Sequence, residues 1–335
     1  MQLSICIPTY NRAKLLKECL DSVINQVKGK EQVEIVICDN ASPDDTENIV
    51  KGYIGNYPFM KYFRNNQNLG YVKNQLKCFK NAQGQYLAIL CDDDLYLDGE
   101  VDKILQVVSE KEYAFIALNY YGFISDPKKT VKTNFAPEKD MVFKRAYDVM
   151  NYPSVGHFSG FVFNTKLAKE AIKKSLSKQT NEYYEKNRGI ISDIAIRVNL
   201  ETNLPAYFIG QRKLAARMPE IVDYESLYHI CIDYYEYFYD LHTEGLITDS
   251  DLDYRARFTL ANLPRAIVTN IPHLNEKEIK NVTEKLIKYF NGYNKFNSKC
   301  LPLLMAGRYY PVKILYLIIY KTWRIIKHIK RRFKI

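Results

Sequence analysis

The chain has 335 residues, of which 47% are hydrophobic, 26% charged and 13% aromatic. With 14 Gly and 12 Pro, that composition excludes a disordered, collagen-like or disulfide-stapled chain and leaves one large globular domain or two smaller ones. The net charge of +10 is uneven: Lys285 to Ile335 carries 13 Lys/Arg and no acid, whereas residues 1–284 hold 35 basic against 38 acidic side chains, a net of −3.

Seven cysteines, an odd number with no CxxC, sit mostly in apolar runs, as expected of reduced, buried thiols in a cytosolic protein. The strand-like run beginning at Leu3 predicts no signal peptide, and no apolar stretch is long enough to predict a spanning helix.

Leu3–Pro8 is a short continuous apolar run, the pattern of a strand covered on both faces. Residues 12–27 place Leu15, Leu16, Cys19, Leu20, Val23, Ile24 and Val27 at helical spacing, with Asn11 as the expected N-cap. Val33–Cys38 is a second strand ending at Asp39-Asn40, and Ser42-Pro43-Asp44-Asp45 reads as a helix start capped by Ser42. Met60–Arg64 is a third strand, Leu69-Gly70 precedes a helix over 71–81, and Tyr86–Cys91 is a fourth strand that runs into Asp92-Asp93-Asp94. Ala114–Phe123 is a further strand, and residues 124–156 read as irregular and basic. Phe158–Phe163 predicts a strand, 165–175 and 189–201 helices, and Ala206–Ile209 a strand. From about residue 223 only helices are expected, over 223–242, 250–270, 276–291 and 310–334.

Alternating strands and helices predict an α/β domain with a mostly parallel sheet covered on both faces. In such sheets ligands bind beyond the carboxyl ends of the strands. Polar residues collect at those ends: Thr9-Tyr10-Asn11-Arg12, Asp39-Asn40 and Asp92-Asp93-Asp94. Three adjacent carboxylates repel one another and call for a counter-cation; hard oxygen ligands at a strand end suit Mn²⁺ or Mg²⁺ shared with a diphosphate. Asp39 is suited to accept from a base N–H or a ribose hydroxyl, and Tyr10 to pack on a base. Asn68-Leu69-Gly70 opens a helix where close backbone approach and free N–H groups favour a phosphate. Gly156–Gly160, with His157, Ser159 and Gly160, is a candidate loop on the acceptor side. Asp193, an acid among apolar neighbours near a helix start, reads by spacing alone as a first-turn acid favoured by the helix dipole, or else as a partly desolvated base.

LSICIPTYNR, VICDNASPDDT, RNNQNLGYVKN and YLAILCDDDLYL, in that order and at those spacings, resemble the family 2 glycosyltransferases of the GT-A fold. The resemblance is strong over residues 3–100, looser to about 210 and absent beyond. It implies a Rossmann-like mixed sheet with helices on both faces, followed by a helical C-terminal part. It implies inverting, metal-assisted transfer of a sugar from a nucleoside-diphosphate donor, with UDP as the first choice. By position, Pro8, Thr9, Tyr10 and Arg12 would border the nucleotide, Asp39 would hold the base, and Asn68 and Gly70 would lie along the donor. Asp92 would sit near the ribose, Asp93 or Asp94 would bind the metal, and Asp193 would be the catalytic base. Family members often carry Glu-Asp where this chain has Ser192-Asp193, and Cys91 stands where many have an acid. The QxxRW motif and membrane spans of processive members are missing, so a single addition is expected.

The expected division is a GT-A domain over 1–215, with a nucleotide-sugar half 1–110 and an acceptor half 111–215, then a helical region 216–308 and a basic amphipathic helix 309–335. On that last helix Leu315, Ile318, Ile319, Ile326, Ile329 and Phe333 share a face opposite Lys313, Arg324, Lys327, Arg331 and Lys334, with Trp323 suited to an interface. The pattern fits peripheral attachment to the inner face of the cell membrane, beside an oligosaccharide or polyprenyl-linked acceptor. Nucleic-acid binding is not expected, because the body offers no wider basic groove. The alternatives are a catalytically silent nucleotide-sugar-binding scaffold and a sugar-nucleotide nucleotidyltransferase; the latter usually needs a Gly-rich basic loop near the N-terminus, which is not seen.

Overall fold

Strand β1 (Leu3–Thr9) shows why the first half folds as a covered sheet. Its side chains alternate, Leu3, Ile5 and Ile7 entering one apolar core and Cys6 another. The computed structural model of the protein describes residues 1–133, 136–153, 155–177, 189–218, 235–309, 311–316, 318, 319 and 322. These fall into two units, Met1–Pro219 and Glu220–Ile335.

In the first unit β1 is joined by β2 (Val33–Asp39), β3 (Met60–Arg64), β4 (Tyr86–Ile89), β5 (Leu95–Tyr96), β6 (Phe115–Phe123), β7 (Lys132–Thr133), β8 (Met141–Phe143), β9 (Phe161–Asn164) and β10 (Ala206–Arg217). They form a ten-stranded sheet in the order β3-β2-β1-β4-β9-β6-β10-β5, with β7 paired to β6 and β8 to β10. The first four strands of that order are parallel. β9 runs antiparallel to both β4 and β6, and β10 is parallel to β6. The sheet is therefore mixed. Helices α1 (Ala13–Val27), α2 (Thr46–Ile54) and α4 (Glu100–Glu110) pack on the face carrying Ile5 and Ile7. α3 (Tyr71–Asn81), α5 (Thr165–Ser177) and α6 (Gly189–Leu200) cover the opposite face.

Three local expectations change. Asn11 does not cap α1: it adopts φ 54°, a left-handed conformation that Asn tolerates, and Arg12 takes the N-cap position without a side-chain bond. The orphan N–H of Ala13 instead donates to Asp44 Oδ2 at 2.8 Å, a cap supplied from another loop. Ser42 does not start α2, which begins at Thr46; its hydroxyl donates to Asp39 and accepts from the Asn11 N–H. The expected strand from Phe158 begins with a 3-10 turn, Phe158–Gly160, before β9. Helix α4 is an addition to the expected elements, formed where Val101, Ile104, Leu105 and Val108 carry helical spacing and are buried.

The described part of the second unit is helical. A helix over 235–243 is followed by α7 (Asp249–Asn270), α8 (Glu276–Phe290), α9 (Leu301–Ala306) and a helix over 311–316. α7 and α8 each open with a capping box, Thr248 with Asp251 and Asn275 with Glu278. Tyr235, Leu260, Leu263, Ile267, Leu286 and Phe290 belong to its core. The start of the expected 223–242 helix and most of the 310–334 helix, Trp323 and the basic face from Arg324 onward included, lie outside the described residues. The described part exposes Ile314, Leu315, Ile318 and Ile319 to solvent at 43–55%. Among the described residues no helix is long and apolar enough to cross a membrane, and Cys6, Cys19, Cys38, Cys78, Cys91 and Cys300 are free thiols.

Glu100, in the first turn of α4, is fully buried, and neither carboxylate oxygen has a hydrogen-bond partner. Burial pushes its pKa up to about 8; the charge of Lys213 opposes this and that of Asp140 adds to it. A carboxyl raised in the fold binds more protons folded than unfolded, so the fold loses stability as pH rises from the ordinary carboxylate range to about 8. Glu100→Gln should remove that loss: its melting temperature should match wild type near pH 5 and exceed it near pH 8.5, as read by thermal melts at the two pH values.

Candidate active site

The parallel register brings the ends of three strands side by side, with Thr9 opposite Asp39 and Asp39 opposite Arg64. β4 ends next to β1, so Asp92, Asp93 and Asp94 arrive at the same rim. Asp92 is buried; its Oδ2 accepts from Thr9 Oγ1 at 2.7 Å and its Oδ1 from Arg12 Nη1 at 3.0 Å. The same Arg12 nitrogen lies 3.0 Å from Asp93 Oδ2. Asp94 Oδ2 takes Ser159 Oγ at 2.5 Å and contacts His157 Nε2 at 2.5 Å, while its Oδ1 accepts from the Arg217 N–H at 2.7 Å. Ser159 Oγ also accepts from the Cys91 N–H at 2.8 Å, which fixes the turn before the acids.

Burial pushes the carboxyl of Asp92 up to about 6, against the pull of Thr9 and Arg12. Asp93 is raised by burial and then by the charge of Asp94. Burial thus disfavours the charged form of both carboxylates, and at Asp93 the neighbouring Asp94 adds to it. Cys91, Asp93 and Asp94 each present a ligand atom, all within 4.8 Å of one another. Burial and the Asp94 charge push the Cys91 thiol up, so it stays protonated, and sulfur is a soft donor. The hard carboxylate oxygens of Asp93 and Asp94 are the donors that fit Mn²⁺ or Mg²⁺. Of the two, Asp93 is the more open, because its partner is a long surface arginine rather than a buried turn.

Asp39 is enclosed. Its Oδ1 accepts from the N–H and hydroxyl of Ser42, and its Oδ2 from Tyr62 and Arg64. Burial works against its ionisation, but these donors outweigh it and hold the carboxyl below the usual range. All four acceptor positions of this carboxylate are in use, so a base edge would have to replace one of them. Beside it, Asn40 donates to Asn68 Oδ1 at 2.7 Å and accepts from the Leu69 N–H at 2.8 Å and from Asn65 at 2.9 Å. Asn74, one turn into α3, donates to the Cys38 carbonyl at 2.7 Å. This asparagine network ties the strand ends to the entry of α3, where Gly70 takes φ 83°. Pro8 lies within β1, Tyr10 is exposed at the rim, and Gly160 sits where an added Cβ would meet the Leu118 carbonyl oxygen at 3.0 Å.

Asp193 lies in α6 and is only 1% exposed. Arg197, one turn on, donates through Nε to both carboxylate oxygens at 3.0 and 3.1 Å, and the Ser175 hydroxyl of α5 donates as well.

Residues 4–170 match the family described as Glycosyl transferase family 2. The chain belongs to that family. Among curated relatives, an abequosyltransferase of Salmonella typhimurium, RfbV, is 41% identical over 114 residues, which is 30% of this chain and 34% of that protein. The GalNAc(5)-diNAcBac-PP-undecaprenol beta-1,3-glucosyltransferase of Campylobacter jejuni is 33% identical over 110 residues, 32% of this chain and 35% of that one. These two matches therefore span about a third of each relative's length. Among solved structures, S. aureus TarS 1–349 in complex with UDP-GlcNAc superposes with a TM-score of 0.64 at 17% identity, over 97% of this chain and 92% of that one. Mannosyltransferase PcManGT from Pyrobaculum calidifontis, in complex with GDP-Man and Mn²⁺, superposes with a TM-score of 0.54 at 14% identity, over 91% and 85% of the two chains. The likeness to both establishes the fold.

In this family 2 chain two site residues carry no sequence signal of their own. Arg64 closes one side of Asp39. Arg217, at the end of β10, donates through Nε to the Asp93 carbonyl at 3.0 Å, through Nη1 to the Ile124 carbonyl at 3.1 Å and through Nη2 to Glu18 at 2.5 Å, with its guanidinium 4.6 Å from the Phe123 ring centre. Its partners lie up to 199 positions away along the chain, and only the folded sheet brings them to it. Arg217→Ala, which unties the backbone of the acid turn, is expected to cost about 2 kcal/mol of stability, measured by urea unfolding.

Proposed function

We propose that the chain is an inverting, metal-dependent, single-addition glycosyltransferase that moves a sugar from a nucleoside-diphosphate donor, UDP-linked by first choice, to a hydroxyl of a lipid-linked oligosaccharide in bacterial surface-polysaccharide synthesis. The observation that carries it is the convergence of Thr9, Arg12, Asp39, the Asn68–Gly70 turn and Asp92–Asp94 at one rim of the sheet. The relatives' names support the direction: one acts on an undecaprenol-linked saccharide, and another, 33% identical over 107 residues, is a minor teichoic acid biosynthesis protein of Bacillus subtilis. The solved complexes with UDP-GlcNAc and with GDP-Man and Mn²⁺ support a nucleotide-sugar donor.

In this reading Asp93, with Asp94 beside it, holds Mn²⁺ or Mg²⁺, an ion that supplies neutralising charge for a departing diphosphate when bound. The N–H groups at the start of α3 and the Arg12 guanidinium add positive potential on the same side. Pro8, Thr9, Tyr10 and Asp92 border the nucleoside. Asp39 reaches the base by giving up one of its present partners. His157, Ser159 and Gly160 form the acceptor-side wall.

Asp193 is the proposed base, accepting the acceptor's hydroxyl proton at its carboxylate, with Arg197 holding that carboxylate in orientation. The same ion pair is the one observation that favours the silent-scaffold reading, since a buried, paired carboxylate also serves as a helix-packing device. The two readings part at Asp193→Asn. A base predicts a fall in transfer of about 10²–10⁴-fold in protein still folded at the assay temperature, with donor affinity retained; a silent scaffold predicts no transfer by the wild type either, and in both readings Arg197, left without its buried partner, lowers the melting temperature. For the metal site, Asp93→Ala should abolish the Mn²⁺-dependent part of UDP binding in calorimetry run with and without Mn²⁺, leaving the metal-free part.

The terminal helix is proposed to dock on an anionic membrane surface, its exposed Ile314, Leu315, Ile318 and Ile319 entering the interface. This makes the protein peripheral at the inner face of the cell membrane. Replacing Lys327, Lys330 and Arg331 with Glu should move it from the pelleted membrane fraction to the supernatant, and unchanged pelleting would remove this part of the proposal.

A further inference from the structure

The acid cluster contains its own cation. A single nitrogen, Arg12 Nη1, stands 3.0 Å from Asp92 Oδ1 and 3.0 Å from Asp93 Oδ2, between two carboxylates of different residues, as a bound ion would. The remaining partners of the cluster are built in: Thr9 on Asp92, and His157, Ser159 and the Arg217 backbone on Asp94. Arg12 differs from them. Its side chain is 46% exposed, it hangs from the N-cap position of α1, and it makes no capping bond there that movement would break.

We propose that Arg12 is an exchangeable counter-cation: in the donor-free protein it occupies Asp93 in place of a divalent ion, and when the ion enters it transfers to the donor's diphosphate. The inference rests on the metal-dependent reading above and adds a residue that decides when the metal binds. A dication on the Asp93 carboxylate would stand within a few ångströms of the Arg12 guanidinium on Oδ2, and two cations that close repel. The displaced guanidinium is planar and matches phosphate oxygens in a two-pronged bond. Arg12 therefore opposes metal binding when no diphosphate is present and rewards it when one is, so metal and donor binding are coupled through this side chain.

Mn²⁺ titrations read by the electron paramagnetic resonance of free Mn²⁺, with and without UDP, test this on the full-length protein, with a thermal melt of each variant confirming the fold. Without UDP, Arg12→Ala should bind Mn²⁺ about 5–10-fold tighter than wild type, and Arg12→Lys, which keeps the charge, should fall between them. With UDP present, the gain in Mn²⁺ affinity should be smaller in Arg12→Ala by about the same factor. Equal or weaker Mn²⁺ binding by Arg12→Ala without UDP overturns the exchange while leaving the metal site in place. Absence of Mn²⁺ binding by both proteins under both conditions overturns the metal site, and the exchange with it.

Discussion

Like-charge repulsion among Asp92, Asp93 and Asp94 is the constraint around which the first unit is arranged. Three carboxylates in a row at the end of a buried strand repel more strongly than they would in water. The fold divides them among different elements. Asp92 is given to the end of β1 through Thr9, and Asp94 to the 3-10 turn before β9 and the end of β10. Asp93, between them, keeps a surface arginine as its partner. The antiparallel β9, set between β4 and β6, is what carries His157 and Ser159 to the acids, and the length of β10 is what carries Arg217 there.

A second layer of polar bonding secures the rim. Asn40, Asn65, Asn68 and Asn74 join β2, β3 and the entry of α3 without charge. Buried amides of this kind hold geometry only when their donors and acceptors are matched, and these are largely matched to one another. Asp39 is treated in the same way, closed by Ser42, Tyr62 and Arg64. The rim thus combines a closely hydrogen-bonded asparagine and aspartate framework with the exposed cation of Arg12, a combination suited to recognising a ligand that brings its own charge.

Much of this was legible in the sequence because it is local. The expected strand Met60–Arg64 and helix over 71–81 coincide with β3 and α3, since short apolar runs and a Gly-opened helix depend on near neighbours. The rim itself followed from polar residues placed directly after apolar runs. What could not be read depends on partners far along the chain. Ala13 is capped by Asp44, not by Asn11. The Phe158 run turns before it becomes a strand because Ser159 must reach both Cys91 and Asp94. Neither Arg217 nor the closure of Asp39 by Arg64 leaves a mark at short range. The ion pair of Asp193 with Arg197 is an exception, since its four-residue spacing was visible and its weight was not.

The most direct measurement of the central claim is a crystal structure of the protein grown with Mn²⁺ and UDP, with anomalous data collected for manganese. The account predicts an anomalous peak at bonding distance from the Asp93 carboxylate, with Arg12 withdrawn from it. A peak elsewhere, or an acid cluster still bridged by Arg12 with UDP bound, would contradict it.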